Sequence, residues 1–334
     1  MKGLLSKTKL VINGGTLQRK NRWGDIPNDK FERSGMTVCI ALIATDIYSR
    51  QPMIVFASDR LVSTDAICFE GGNSKIELLN LHAYIMASST DAVNSDEIII
   101  KTRLRIPDEE CSVKQIAEIL AEECKLKFES GLKEKRKQVF SRYDLTSKEF
   151  KSKSRTMSDR VVMDIIRSLD KIEYEFKTKY FEAEFLVVGI DYAPHIFVVD
   201  QFGDIRTFDH QGFAAIGSGQ LLAFPEIVRL TYSLQMSDGQ AIVTVYNAKK
   251  RAEKALGVGE ETDLILLTKD KNNTYTVEIA KKALTDKLDK NLEKIYDSEM
   301  ESNDRVSRDI QNSVRSEMYF SYDGKFDDEE PNEY

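Results

Sequence analysis

The chain has few of the residues from which many familiar sites are built: its 334 residues include four cysteines, three histidines and one tryptophan. Cys39, Cys68, Cys111 and Cys124 are dispersed with no CxxC spacing. That pattern indicates neither a zinc knuckle nor a disulfide framework and predicts reduced, mostly buried thiols. His82, His195 and His210 form no HExxH, and no serine occupies a glycine-flanked nucleophile elbow, so a zinc hydrolase and a conventional serine triad are not indicated. There is no GxxxxGK[ST], and Gly257-Val258-Gly259 follows a predicted helix where a dinucleotide fingerprint requires a strand. No stretch approaches the roughly 18 to 20 consecutive apolar residues of a membrane-spanning helix, and Met1 to Asn13 lacks a signal peptide's apolar run and cleavage site. A soluble, cytoplasmic protein without a membrane partner is the expectation.

What is present is a large core and a mildly acidic surface. With 41% hydrophobic and 31% charged residues the chain must bury substantial apolar area, which excludes wholesale disorder. Its 48 basic and 55 acidic residues give a net charge of −7, which argues against nucleic acid or anionic lipid as the partner of the whole surface. The first 35 residues are polar and aperiodic and read as an extension. From Met36 the pattern changes: Thr37 to Ala44 and Met53 to Ser58 predict a strand pair across the turn-like Thr45 to Pro52. Short strands are also predicted at Ala66 to Phe69, Ser74 to Leu79 and Ala83 to Ala87. Asp91 to Arg103, with Ser88-Ser89-Thr90 as candidate caps, and Ser112 to Phe128, with Val113, Ile116, Ile119, Leu120 and Cys124 on one side, predict helices packed on a sheet.

The charged insertion at about 129–158, in which basic residues outnumber acidic ones across Leu132 to Arg155, reads as a solvated helix or loop, with polyanion binding as the functional alternative. Val161 to Tyr174 is amphipathic and is expected to rejoin the core. Strands follow at Phe185 to Ile190, His195 to Val199, Arg206 to Asp209 and Phe213 to Ile216. Helices follow at Gln220 to Leu234 and Asp238 to Leu256, then a hairpin at Leu264 to Thr268 and Thr274 to Ile279. Strands, two helices, strands, two helices, strands is the order of an α+β protein built as a four-layer α-β-β-α sandwich. Residues 282–334 read as a helical extension carrying Leu284, Leu288, Leu292, Ile295, Val306, Ile310 and Val314, which packs on its own domain or docks a partner. Phe326 to Tyr334 reads as a disordered acidic tail.

A constellation remains that no single motif carries. Met36-Thr37-Val38-Cys39-Ile40-Ala41, Val55-Phe56-Ala57-Ser58-Asp59-Arg60, Ser74-Lys75-Ile76, Val188-Gly189-Ile190-Asp191, Ala215-Ile216-Gly217-Ser218-Gly219 and Gly257-Val258-Gly259 before Asp263-Leu264-Ile265 occur in that order. Together they resemble a proteasome β-type subunit of the N-terminal nucleophile hydrolases over residues 36–281. The sixteen-residue interval from Asp59 to Lys75 resembles the family's spacing between its active-site aspartate and lysine, and the Met-Thr-x-Cys opening is closest in look to the bacterial ancestral-β-subunit branch. The resemblance implies the N-terminal nucleophile hydrolase fold and a threonine-type protease or amidohydrolase assembled as a homo-oligomeric ring or spiral. It implies peptide or other amide substrates, no metal or organic cofactor, and leaves open an ATP-dependent unfoldase that feeds the particle. Catalytic residues carry over to Thr37 as nucleophile, Asp59, Lys75 and Ser218, with a backbone N–H at Ser88 or Ser89 facing the oxyanion.

The chemistry behind those residue types is specific. A threonine hydroxyl needs a base, and a free α-amine with a reference pKa of about 7.7 to 8.0 serves near neutral pH. A Lys75 ammonium disfavours protonation of that amine, Asp59 holds Lys75, and Ser218 orients the amine. The structural readings of the same residues are a buried strand for Thr37 and Cys39, a plain ion pair for Asp59 and Lys75, and a helix cap for Ser218. The second aspartate and the serine of the family pattern fall on Ala255 and Val258, Ser88 stands at the usual glycine, and the hairpin between Thr37 and Asp59 is longer than the pattern. These departures support an alternative, a catalytically inactive structural or scaffolding subunit. The 35 residues ahead of Met36 also leave the Thr37 nitrogen in an amide. Cleavage, or initiation at Met36 followed by methionine removal, would free it; Glu32-Arg33-Ser34-Gly35 can be encoded with an AGGAG ribosome-binding sequence before the Met36 codon.

Overall fold

A computed structural model describes residues 37–45, 47, 50–63, 68–70, 74–107, 111–179 and 182–317. The predicted extension 1–35 and the tail Phe326 to Tyr334 lie outside the described residues. In chain order the described residues form β1 (Cys39–Thr45), β2 (Pro52–Asp59), β3 (Leu61–Ser63), β4 (Cys68–Glu70), β5 (Ile76–Asn80) and β6 (Ala83–Ser89). Four helices follow, α1 (Ala92–Arg105), α2 (Val113–Ser141), α3 (Ser147–Lys153) and α4 (Asp159–Lys179), then β7 (Ala183–Ile190), β8 (Pro194–Asp200), β9 (Ile205–Thr207) and β10 (Phe213–Ile216). The chain continues through α5 (Gln220–Arg229), α6 (Asp238–Ala252), β11 (Thr262–Lys269), β12 (Tyr275–Ile279) and α7 (Lys282–Glu317).

Two antiparallel five-stranded sheets dominate, ordered β10-β1-β2-β11-β12 and β5-β6-β7-β8-β9, with β3 and β4 paired separately. The two-residue period of β1 explains how they stack. Val38, Ile40, Leu42 and Ala44 join one cluster with Ala223 and Ile227 of α5 and Val245, Tyr246 and Ala248 of α6. Cys39, Ala41 and Ile43 point the other way, into a cluster with Leu186, Val188 and Ile190 of β7. The opposite face of β7, through Phe185 and Val187, packs with Ile98 and Ile99 of α1 and Ile116 and Leu120 of α2. Strands buried on both faces read as continuous apolar runs, which is why β1 and β7 were visible in sequence. Mixed α+β character with helices on both outer faces of two sheets is thus observed.

Several local expectations are corrected. The cap of α1 is Asp91, whose side chain accepts from Asn94 N at 3.1 Å, not Ser88, Ser89 or Thr90. Ser112 and Gln115 form a capping box, and α2, 29 residues long, runs on into the insertion as far as Ser141. The insertion is not merely solvated: Val139 and Phe140 of α2 and Ile165 of α4 are buried, with Phe150 of α3 packed against them. Val161 to Tyr174 therefore does not rejoin the sheet core; it completes a small satellite core with α2 and α3. Predicted Ala66 to Phe69 corresponds to β4, with 66–67 outside the described residues, and its partner β3 was not anticipated.

Helix α5 stops at Arg229, short of Leu234, because the following segment is drawn onto the end of β1. Thr45 N donates to Leu234 O at 2.7 Å and Tyr232 Oη to Ile43 O at 2.9 Å. Helix α6 likewise ends at Ala252, before Leu256. Leu288 and Leu292 of α7 are buried, Tyr246 Oη donates to Asp289 at 2.7 Å, and Arg229 pairs with Glu299 at 2.8 Å. The first half of the extension packs on its own domain, whereas Val306 and Ile310 stay exposed; the Val314 side chain lies outside the described residues.

Candidate active site

The residues named from sequence converge at one end of the sandwich. Thr37 precedes β1, Asp59 ends β2, Lys75 immediately precedes β5, Ser88 and Ser89 end β6, and Gly217 and Ser218 follow β10. Strand register brings the ends together, since Cys39 stands opposite Ser58 and Ile216, while Asp59 stands opposite Thr262.

Asp59 is fully buried and is the hub. Its Oδ1 accepts from Thr37 Oγ, from Val38 N at 2.9 Å and from Lys75 Nζ at 3.0 Å. Its Oδ2 accepts from Lys75 Nζ at 3.1 Å, Leu61 N at 3.1 Å and Gly259 N at 3.1 Å. A buried carboxylate is tolerated only with such partners, one of them a cation. Lys75 Nζ also donates to Thr37 Oγ at 2.5 Å. The hydroxyl, the carboxylate and the ammonium are therefore in mutual contact. Thr37 and Lys75 line a cleft of about 560 Å³ together with Ser89 and residues of α1. A larger cavity, about 760 Å³, lies between β8, β10 and α5, and neither Thr37 nor Lys75 lines it.

Gly217 shows why this end must be glycine-rich. Its φ is +89°, and a Cβ there would stand 2.4 Å from Thr37 O and 3.0 Å from Ser88 Oγ. A side chain would meet both an unfavourable backbone region and the carbonyl of the candidate nucleophile. The outcome for Ser218 differs from expectation. Its Oγ donates to Leu256 O at 3.2 Å and Thr37 O at 3.4 Å, so it tethers the Thr37 carbonyl rather than its nitrogen. It does not cap α5 either, because Gly219 holds the N-cap position with no side-chain cap bond. Ser88 is buried beside Gly217, and the Ser89 hydroxyl turns into an exchange with the Asp91 backbone, 2.9 Å to its O and 3.0 Å from its N.

Cys39 is no rival nucleophile. Burial pushes its thiol up to about 12, and its Sγ donates to Ala87 O at 3.8 Å. Cys39, Cys111 and Cys124 are free and buried. Beside the site, Arg60 Nε donates to Asp263 Oδ1 at 2.9 Å, joining β2 to β11 across the hub. Ala255 and Val258 bring no hydroxyl or carboxylate, yet their segment reaches the site through the Gly259 N–H. Sequence reading missed that backbone donor and missed Lys249, which is fully buried. A signal for Lys249 existed: it lies four residues after Val245 on α6, a charged residue on a face otherwise made of Ala241, Val245, Ala248 and Ala252.

No family model matches the chain, and no curated protein matches it. Among the described residues no group of three or more His, Cys, Asp or Glu is placed to hold a metal ion, and no helix is long and apolar enough to cross a membrane.

Proposed function

We propose that the chain is a threonine-type N-terminal nucleophile hydrolase that cleaves peptide or other amide bonds once the Thr37 nitrogen is released as a free amine, as the sequence resemblance suggests. One observation carries the reading: the Thr37 hydroxyl touches both the buried Asp59 carboxylate and the Lys75 ammonium at the mouth of a cleft. In the proposed reaction the Thr37 amine takes the hydroxyl proton as Oγ attacks the substrate carbonyl. The Lys75 cation keeps that amine neutral near pH 7 and steadies the developing charge. A backbone N–H at Ser88 or Ser89 is the proposed oxyanion donor. As the tetrahedral adduct collapses, the amine's proton passes to the leaving nitrogen. Water, deprotonated by the same amine, then hydrolyses the threonyl ester and restores the hydroxyl. The homo-oligomeric ring or spiral belongs to the same proposal.

Beside the departures at Ala255, Val258 and Ser88, the scaffold reading is favoured by the Thr37 nitrogen, which in the whole chain lies in an amide with Met36 and carries no basic lone pair. The test expresses the protein from Met36, verifies by intact mass that threonine is exposed, and applies a threonine-directed electrophile. A single adduct at Thr37, absent in Thr37→Ala, is expected. An unlabelled Thr37 across pH 6 to 9 would overturn the hydrolase and leave the scaffold.

A further inference from the structure

The segment between α6 and β11 is the least regular part of the site's wall. Residues 257–261 adopt no helix or strand, and Gly257 sits at φ +78°. Nevertheless this stretch touches the centre twice: Leu256 O accepts from Ser218, which also bonds Thr37 O, and Gly259 N donates to Asp59. Such a segment holds its register only if something fixes it.

Lys249 does so. Its Nζ donates to Gly259 O at 2.9 Å, Glu260 O at 2.8 Å and Glu253 Oε1 at 2.6 Å, which uses all three ammonium protons. The side chain is wholly buried beneath the loop, on the face where Val245, Ala248 and Ala252 enter the apolar cluster. An apolar residue would suit that cluster without the desolvation cost of an ammonium, so the cation's value lies in the two carbonyls it holds. Burial drives the Lys249 ammonium below the ordinary lysine range, against the pull of Glu253 and, more weakly, of Asp59. Its positive field therefore also reaches the hub.

We infer that Lys249 is a positioning residue of the proposed catalytic centre, acting through the Gly259 N–H on Asp59. This deepens the hydrolase reading and rests on it. Where side chains at Ala255 and Val258 offer no polar group, a buried cation and one backbone N–H give the hub its support. The groups facing the Asp59 carboxylate are Thr37, Lys75 and the N–H groups of Val38, Leu61 and Gly259, with Lys249 and Glu253 behind the last and Arg60 with Asp263 alongside.

The test uses protein begun at Met36, because Ser34–Tyr334 forms a unit by itself and holds every apolar cluster found among the described residues. Lys249→Met is combined with Glu253→Gln so that no lone buried charge remains. Acylation of Thr37 is followed against pH, with rate constant and affinity determined separately. The rate constant is expected to fall about tenfold with affinity unchanged. The midpoint of its acid limb is expected to rise by about half a pH unit, because the paired substitution leaves the net charge unchanged but loosens the Gly259 N–H from Asp59, whose less compensated carboxylate leaves the Thr37 amine easier to protonate. A merely structural role lowers the labelled fraction and leaves the midpoint in place. Parental rate and midpoint in a folded variant overturn the inference and leave the nucleophile standing; no Thr37 adduct in the parent removes both. Should the variant not fold, amide exchange in the parent decides: Gly259 N–H is expected to exchange at least about 100-fold more slowly than an unprotected amide, and fast exchange there overturns the inference.

Discussion

The two ends of the sandwich each hold a carboxylate–cation cluster, and only one looks like chemistry. At the far end His195 stands opposite Gly189 at the start of β8. Its Nδ1 meets Asp209 Oδ2 at 2.7 Å and its Nε2 meets Asp191 Oδ1 at 3.0 Å. Asp191 also accepts from Val113 N at the head of α2 at 3.0 Å, and Asp209 from Ile196 N at 2.8 Å. Both ring nitrogens are consumed, and Tyr192 and Phe197 pack against the ring. That cluster is closed. At the near end the Asp59–Lys75 pair instead keeps contact with a hydroxyl that borders a cleft. Burial and charge are common to both ends; a nucleophile with open space beside it belongs to one.

The comparison is broken most severely at Asp59. Asp59→Ala strips the acceptor from Lys75 and from three backbone N–H groups, and is expected to cost about 4 kcal/mol in urea unfolding and to abolish Thr37 labelling. Asp209→Ala, whose partner keeps Asp191, is expected to cost about 1 to 2 kcal/mol with labelling unchanged. Equal losses at the two ends, or persistent labelling in Asp59→Ala, would erase the distinction. Next in size is Gly217→Ala, expected to cost about 3 kcal/mol and to slow labelling at least tenfold by displacing Thr37; wild-type unfolding and labelling would refute that close approach.

The smallest effect sharpens the far end. Hydrogen bonding to Asp209 raises the His195 pKa above its ordinary value, against the opposing effect of burial. Its contribution is therefore complete below the unfolded value of about 6.5 and is lost as pH climbs through the higher folded value. His82 is shifted the other way by burial, so its contribution falls away as pH drops below about 6.5. The two oppose each other in the parent, and the difference between parent and His195→Gln isolates one of them. That difference is expected to be larger at pH 5.5 than at pH 9, as urea unfolding at the two pH values reads. A pH-independent difference would show that the fold leaves the ring's pKa unshifted, and a difference smaller at pH 5.5 than at pH 9 that it holds the ring neutral.

Much of this was legible because the relevant forces are local or periodic. β1, β7 and β10 lie where apolar runs placed them, and Thr37, Asp59 and Lys75 stand at strand ends that pairing brings together. What escaped depended on choices made in three dimensions. Ser218 has two carbonyls within reach, and the turn at Gly217 decides that it bonds those rather than an amine. Val139, Phe140 and Phe150 are too sparse among lysines and arginines to announce a core until α4 lies across them. Lys249 escaped because two of its three partners are backbone oxygens, which carry no residue-type signature, and only its place on the apolar face of α6 marks it.

Helix α2 has a mechanical consequence. At about 1.5 Å per residue it is a rod of roughly 43 Å, whose first half is seated under β7 and β8 and whose last turns are clasped by α4. A load applied to the satellite bundle is therefore delivered as torque beneath Phe185 and Phe197 instead of dissipating in a linker.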